Sequence, residues 1–458
     1  MGVKNNRLIE ECGLFGGYID AHNGESARLG LFALYALQHR GQESAGLALN
    51  TSEGIKVKKG RGLVSEVFES LSPLDEEAGD MVVGHVRYSY GRYGNLPENT
   101  QPLLLRYQHG EIAISHNGNV INHLELRREL ESQGSIFQTT TDSELLAHLI
   151  ARQGKADLVE SLKHILPRLR GGFAYVIMSP DKIIGIRDPL GIRPLSLGVL
   201  EDQQYVLASE SCAFDTIGAD FVRDVAPGEM VCITRDGIDS IPYAEAGAAL
   251  CVFEFIYFAR PDSNLCGKNV HLVRKALGKK LSQQHTVDAD FVTGVPDSSI
   301  SAASGFGEAA GIPYEMGLIK NRYIGRTFIQ PSAETRKLGV RLKLNPVTKI
   351  VEAKKVVIVD DSLVRGTTTF RLVKMLKDAG AKEVHVRISS PPVVSPCYYG
   401  INIPTREELI AFRYQEEEIA RYIGAESLGY LSVDGMVEAT GIASHQLCLA
   451  CFTGDYPC

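Results

Sequence analysis

A chain of 458 residues, 44% of them hydrophobic, is too long for one ordinary core and has ample apolar content for two domains. Its formal charge of −7 excludes the net basic field of a nucleic-acid binder and points to small-molecule partners. No apolar run reaches membrane-spanning length, and the opening MGVKNNRLIEE lacks the apolar centre of a signal peptide, so a soluble, cytoplasmic protein without a membrane partner is expected.

Strands and helices alternate in the first half. CGLFGGYI (12–19), AGLALN (45–50), MVVGHVRYS (81–89), EIAISHNG (111–118) and FAYVIMS (173–179) are β-branched or alternating apolar runs and read as strands. Between the first two, SARLGLFALYALQHRG sets Leu29, Phe32, Ala33, Ala36 and Leu37 at helical spacing and ends on Gly41, an expected C-cap. A second helix is expected to open at Thr141, with Glu144 completing a T-x-x-E capping box ahead of Leu145, Leu146 and Leu149. Strands with segregated helices predict a layered α+β domain.

The pattern changes near residues 240–250, where AEAGAALC (244–251) reads as a linker. KVVIVD (355–360) then leads through a loop into TTTFRLVKMLKDAG, whose Phe370, Val373, Leu376 and Ala379 line one expected face before Gly380 stops the helix. EVHVRIS (383–389) follows as a strand, which makes a βαβ unit on a parallel sheet. Ligands of such sheets bind beyond the carboxyl ends of the strands, where Asp360, Asp361, Ser362, Arg365, Gly366, Thr367 and Thr368 fall. Adjacent acids after a buried strand are costly unless something binds them, either ribose hydroxyls or Mg²⁺ held with water and phosphate oxygens. Gly366 permits close backbone approach, and the amides and hydroxyls of Thr367 and Thr368 at a helix start suit a 5′-phosphate.

This strand and loop resemble the signature of the type I phosphoribosyltransferases. DFVTGVPDSS (290–299) is similar to that family's diphosphate loop, which implies that Ser298 contacts diphosphate or Mg²⁺ beside Asp360 and Asp361. Residues 320–343 carry Lys320, Arg322, Arg326, Arg336, Lys337, Arg341 and Lys343 against one acid, Glu334. In an acidic chain that excess suggests an anion. The resemblance implies a lid over the diphosphate, with Arg326 among its contacts.

Nine cysteines in a cytosolic chain read as chemistry or metal before disulfides. Cys12 by itself reads as a buried structural cysteine as readily as a nucleophile. Its setting in CGLFG, after eleven residues with no evident structural task, is similar to the class II glutamine amidotransferases, in which a leader is removed and the cysteine becomes terminal. A terminal cysteine carries its own base, since an α-amine with a pKa of about 7.7 to 8.0 can take the thiol proton near neutral pH. In the same resemblance, Arg87 grips the glutamine α-carboxylate, Asp142 takes its ammonium, and Arg40 with Gly41 lies near the pocket. Asn117 and Gly118 supply an amide side chain and a backbone N–H for an oxyanion hole.

Cys448 and Cys451 form a C-x-x-C pair that suits zinc, redox or iron–sulfur chemistry alike, and with Cys251 and Cys397 four thiolates could hold a [4Fe–4S] cluster. Cys212, Cys232, Cys266 and Cys458 have no assigned task. Over nearly the whole chain the two halves resemble the glutamine phosphoribosyl-diphosphate amidotransferases, in their leader-bearing, iron–sulfur class. The resemblance implies an α+β N-terminal-nucleophile domain, an αββα sandwich, followed by an α/β type I phosphoribosyltransferase domain. Expected divisions are a leader at 1–11, a glutaminase domain at 12–245, a transferase domain at 246–430 and a tail at 431–458. Also implied are Mg²⁺ and a [4Fe–4S] cluster as cofactors, glutamine and phosphoribosyl diphosphate as substrates, purine nucleotides as feedback inhibitors, ammonia passed internally, and a homotetramer. Two other readings are an amidotransferase with a different acceptor, against which the acidic loop speaks, and a phosphoribosyl-diphosphate sensor, which would have no use for Cys12, Arg87 and Asn117.

Overall fold

The computed structural model describes residues 9–19, 25–69, 79–90, 96–321, 344–403 and 405–458. In the first half β1 (Ile9–Tyr18) is the axis: it pairs with β4 (Met81–Tyr90) along its whole length and with the strand Tyr205–Ala208 on its other edge. Among the described residues, thirteen strands up to Pro242 join one hydrogen-bonded system. Side chains alternate between its layers, as period-two geometry requires. Leu14, Ala48, Val83, Ala113, Val176, Leu197 and Leu207 meet in the middle. Their neighbours Phe15, Leu47, Val82 and Val206 pack outward against the helices Glu25–Ala36 and Cys212–Ile217. Ile112, Phe173, Ile177 and Ile184 pack outward on the opposite side against the helices Ser143–Gln153 and Leu158–Ile165. The result is the αββα sandwich expected of the N-terminal-nucleophile class.

Local details depart from the sequence expectation where packing outweighs spacing. The first helix buries Ala27, Gly30, Leu31 and Leu34, while Phe32 is 42% exposed. Gly41 is extended, with φ −158°, so it is no left-handed cap; a Cβ there would lie 2.4 Å from the Arg87 amide nitrogen. The capping box at Thr141 does not form, because Asp142 is the residue before the helix and Glu144 instead accepts the amides of Gln138 and Thr139 at 2.8 and 2.7 Å. Residues 244–251 are no loose tether: Gly247 and Ala249 donate to Pro189 and Leu190, and Leu250–Cys251 pairs in parallel with Leu447–Cys448.

The second half holds a four-stranded parallel sheet, Phe291–Gly294, Lys355–Asp360, Glu383–Ile388 and Ser427–Tyr430 in spatial order. Helices cover both faces, which is why KVVIVD is apolar without alternation. Val356 and Ile358 face the helices Thr367–Asp378 and Glu416–Ile423. Val357 and Val359 face the helices Val270–Gln284 and Ile300–Ala310. The Thr367–Asp378 helix buries Thr369, Leu372, Val373 and Leu376; Phe370, expected inside, is 43% exposed.

Helices Val270–Gln284 and Ile300–Ala310 approach so closely that a Cβ on Gly278 would meet the Ala302 carbonyl oxygen at 1.8 Å, and one on Gly305 the Lys275 oxygen at 2.0 Å. Both obstacles are backbone and cannot rotate away. Gly278→Ala should therefore destabilise the protein by about 1–3 kcal/mol, despite alanine's roughly 1 kcal/mol advantage inside a helix. Thermal melting checks it: a variant melting at or above the parent would show that the helices part freely.

Candidate functional site

Strand pairing builds the first site. The register of β1 on β4 sets Cys12 opposite Arg87, both buried, and β1 meets β6 (Gly110–Val120) at Glu10 and Gly118. The Cys12 backbone N–H donates to Asn117 Oδ1 at 3.1 Å. Asn117 Nδ2 is buried and has no acceptor among the described residues. An unmade buried donor costs about 1–3 kcal/mol, so its persistence beside a thiol suits a site that waits for an oxyanion. Gly118 has φ +126°, and a Cβ there would sit 2.1 Å from the Gly172 oxygen, so only glycine fits. Residues 1–8 of the expected leader lie outside the described residues, while the backbone of 9–11 continues β1 through this site.

Two expected glutamine contacts are engaged otherwise. Arg40 is fully buried: its Nε donates to the Cys12 carbonyl at 3.0 Å, its Nη1 and Nη2 to Glu254 at 3.0 and 2.8 Å, and its Nη1 also to Glu210. It therefore orients the Cys12 backbone from behind and presents no open fork to a substrate carboxylate. Asp142 accepts the Val120 amide at 2.8 Å and lies 2.9 Å from His116 Nδ1. Burial, the largest single influence, raises its carboxyl, but His116, His123 and the Val120 amide together outweigh it and the net direction is down.

The second site lies where the parallel sheet ends. Asp360 and Asp361 are both buried, and Ser298 Oγ donates to Asp361 while Ser299 Oγ donates to Asp360 at 3.3 Å. Ser362 Oγ donates to Asp361 at 2.7 Å. Burial pushes both carboxyls up, and for Asp360 the charge of Asp361 adds to it; Arg274 and the serine donors offset only part of this for Asp361. Two desolvated carboxylates side by side suit a cation or sugar hydroxyls. Gly366, at φ +75°, turns the chain into the helix, leaving Thr367 and Thr368 exposed at its N-terminus. Arg365, expected among the residues of the ligand-binding loop, pairs with Glu408 at 2.8 Å. Arg326 and the other basic residues from 322 to 343 lie outside the described residues, and Lys320 pairs with Asp297.

A cavity of about 230 Å³ lies between the sites, lined by His39, Arg40 and Tyr88 from the first half and Tyr257, Asp361 and Ser362 from the second. Sequence reasoning missed Glu210 and Glu254, which hold Arg40, and Arg193, which pairs with Glu254. One signal was available for Glu254, a lone acid inside the apolar run AALCVFEFIYF, which is costly unless paired.

Cys251, Cys397, Cys448 and Cys451 line one further cavity. The backbone N–H groups of Tyr399 and Ile401 donate to Cys397 Sγ at 3.3 and 3.4 Å. Burial and the neighbouring sulfurs push the Cys448 thiol up to about 12, a cost that a bound cationic group would offset. Among the described residues no three His, Cys, Asp or Glu side chains converge on a single ion point. Four cysteines around one cavity are the number of thiolates that a [4Fe–4S] cluster takes.

Residues 85–216 match the family model described as a glutamine amidotransferase domain. The chain is 52% identical over 456 residues to the amidophosphoribosyltransferase of Bacillus subtilis (strain 168), covering 98% of this chain and 94% of that protein. It is 48% identical to the enzyme of the same name from Staphylococcus epidermidis, covering 98% and 91%. Among solved structures it resembles the glutamine phosphoribosylpyrophosphate amidotransferase of B. subtilis complexed with ADP and GMP, at TM-score 0.90 and 51% identity, covering 97% of each chain. With such identity over nearly its full length, both sites included, this chain belongs to the amidophosphoribosyltransferase family.

Proposed function

We propose that this protein makes 5-phosphoribosylamine from phosphoribosyl diphosphate and glutamine, the first step of de novo purine biosynthesis. The observation that carries this reading is the shared cavity: Arg40, which holds the Cys12 carbonyl, and Asp361 of the acidic pair line the same space. In the first reaction the Cys12 thiolate attacks the glutamine amide carbon, its proton having gone to the Cys12 α-amine once residues 1–11 are removed. Asn117 Nδ2 and the Gly118 amide stabilise the tetrahedral oxyanion. Ammonia leaves, and water hydrolyses the thioester to glutamate. Arg87 holds the substrate carboxylate and Asp142 its ammonium, while Arg40 holds Cys12 rather than glutamine.

Ammonia crosses the cavity without release, since in water near neutral pH it would become non-nucleophilic ammonium. At the second site it bonds to C1 of the ribose as diphosphate departs. Asp361 and Asp360 orient the ribose hydroxyls, and Gly366, Thr367 and Thr368 hold the 5′-phosphate. Mg²⁺, held by Asp360, Asp361 and Ser298 through water and phosphate oxygens, would supply positive charge against the leaving diphosphate. Arg326 contacts that diphosphate. Purine nucleotides inhibit, a reading supported by the relative solved with ADP and GMP. The assembly is a homotetramer, and a [4Fe–4S] cluster on the four cysteines staples the tail to the transferase core.

Supplying both substrates and following glutamate and diphosphate tests the activity directly. Intact mass should place the mature N-terminus at Cys12, and Cys12→Ala should abolish use of glutamine while sparing synthesis from added ammonia; an active preparation retaining residues 1–11 would overturn the terminal-nucleophile reading. Asp361→Asn should lower synthesis from glutamine and from ammonia together, roughly 10²-fold or more, while basal glutamine hydrolysis persists. Near-normal ammonia-dependent synthesis by that variant would remove Asp361 from the site. Anaerobically purified protein should contain about four irons per chain and lose them in Cys448→Ser; stoichiometric zinc without iron would count against the cluster.

A further inference from the structure

The transferase half contributes a side chain to the support of the glutaminase nucleophile. Glu254 lies on the π-helical turn Glu254–Phe258, just beyond the strand Leu250–Cys251, and is fully buried. Its two oxygens accept Arg40 Nη1 at 3.0 Å and Nη2 at 2.8 Å, and this fork leaves Arg40 Nε aimed at the Cys12 carbonyl at 3.0 Å. Such a two-point pairing fixes the plane of a guanidinium as well as its position. The turn is itself clamped from the transferase core: Arg274 donates through Nε to the Phe255 carbonyl at 2.6 Å and through Nη2 to the Ala259 carbonyl at 2.8 Å. Arg193 Nη1 lies 3.5 Å from Glu254 and its Nε and Nη2 donate to the Tyr399 carbonyl, so the carboxylate is held on a second side.

We propose that Glu254 is a positioning residue for glutamine hydrolysis, acting through Arg40 on the backbone of Cys12, so that the glutaminase site is complete only when the transferase half is docked. The inference rests on Cys12 being the nucleophile. Glu254 touches no substrate. Its effect is on the orientation of the Cys12 backbone, and with it the thiol and the α-amine, relative to Asn117 and Gly118. A misplacement of this kind lowers the rate of attack more than it weakens substrate binding, because Arg87 and Asp142 hold glutamine independently of Glu254.

Glu254→Gln in the full-length protein tests it, with Cys12→Ala prepared alongside. The expected result is a fall of about ten-fold or more in kcat for glutamine hydrolysis with KM within about two-fold of the parent, and an equal fall in the rate at which a glutamine-like diazoketone labels Cys12. Ammonia-dependent synthesis should stay near the parental rate. Glu254→Asp, which restores the charge, should recover part of kcat, and it replaces the glutamine variant as the test if that variant does not fold, with the same split expected in smaller measure. Parental hydrolysis and labelling in the folded variant would overturn the proposal, as would equal losses of hydrolysis and ammonia-dependent synthesis, which mark a general structural role. Continued glutamine use by Cys12→Ala would instead remove the nucleophile assignment on which the inference stands.

Discussion

Two buried carboxylates, Glu210 and Glu254, neutralise two buried guanidiniums, Arg40 and Arg193, at the seam between the halves, and most of what matters here hangs from that balance. Glu210 also takes His39 at 2.7 Å, the Arg260 amide at 2.9 Å and Ser263 Oγ at 2.6 Å, so both halves contribute to its shell. Removing one partner of a buried pair leaves an uncompensated charge, at a cost of about 3–5 kcal/mol. The network also sets geometry. It fixes where the Cys12 carbonyl lies and, through Arg193, where the Tyr399 loop lies.

The two sites hold their readiness in opposite electrostatic forms. Beside Cys12 a buried donor, Asn117 Nδ2, lacks an acceptor among the described residues. At the end of the parallel sheet lie two carboxylates whose ionisation burial opposes even with their serine donors. Each arrangement costs stability in the ligand-free chain, as preorganised polar groups do. Glycine stands at both sites, at Gly118 and Gly366, where the backbone turns at positive φ.

The tail is part of the transferase core. Leu447–Cys448 forms a parallel pair with Leu250–Cys251, Val394 and Ser395 donate to the Cys451 carbonyl, and Phe452 stacks on Phe253 at 5.6 Å. Asn119 reaches across from the first half to the Tyr398 carbonyl at 2.7 Å. The segment between Cys397 and Ile403 is thereby tied to the glutaminase sheet on one side and to the cysteine cavity on the other.

The sequence by itself determined the elements whose signal is local. Alternating runs gave the strands around Cys12, a continuous apolar run gave the doubly covered strand Lys355–Asp360, and the loop from Asp360 to Thr368 carried residues suited to ribose hydroxyls, Mg²⁺ or phosphate. Cys12, Asn117 and Gly118 were joined by family resemblance, and the hydrogen bond from the Cys12 amide to Asn117 that joins them in space is long-range. Only the tertiary structure decided which charges meet. Arg40 reads along the chain as one more cation near a pocket, and its role turns on Glu254, more than two hundred residues away. Arg365 likewise reads as one more residue of the ligand-binding loop, and its pairing with Glu408 exists only in the fold. Helix faces slipped for the same reason, since Phe32 and Phe370 satisfy the periodicity yet face outward once each helix is rotated by what it packs upon. Periodicity is a property of neighbours in sequence; the pairing of buried charges belongs to neighbours in space, and the chain must fold before it exists.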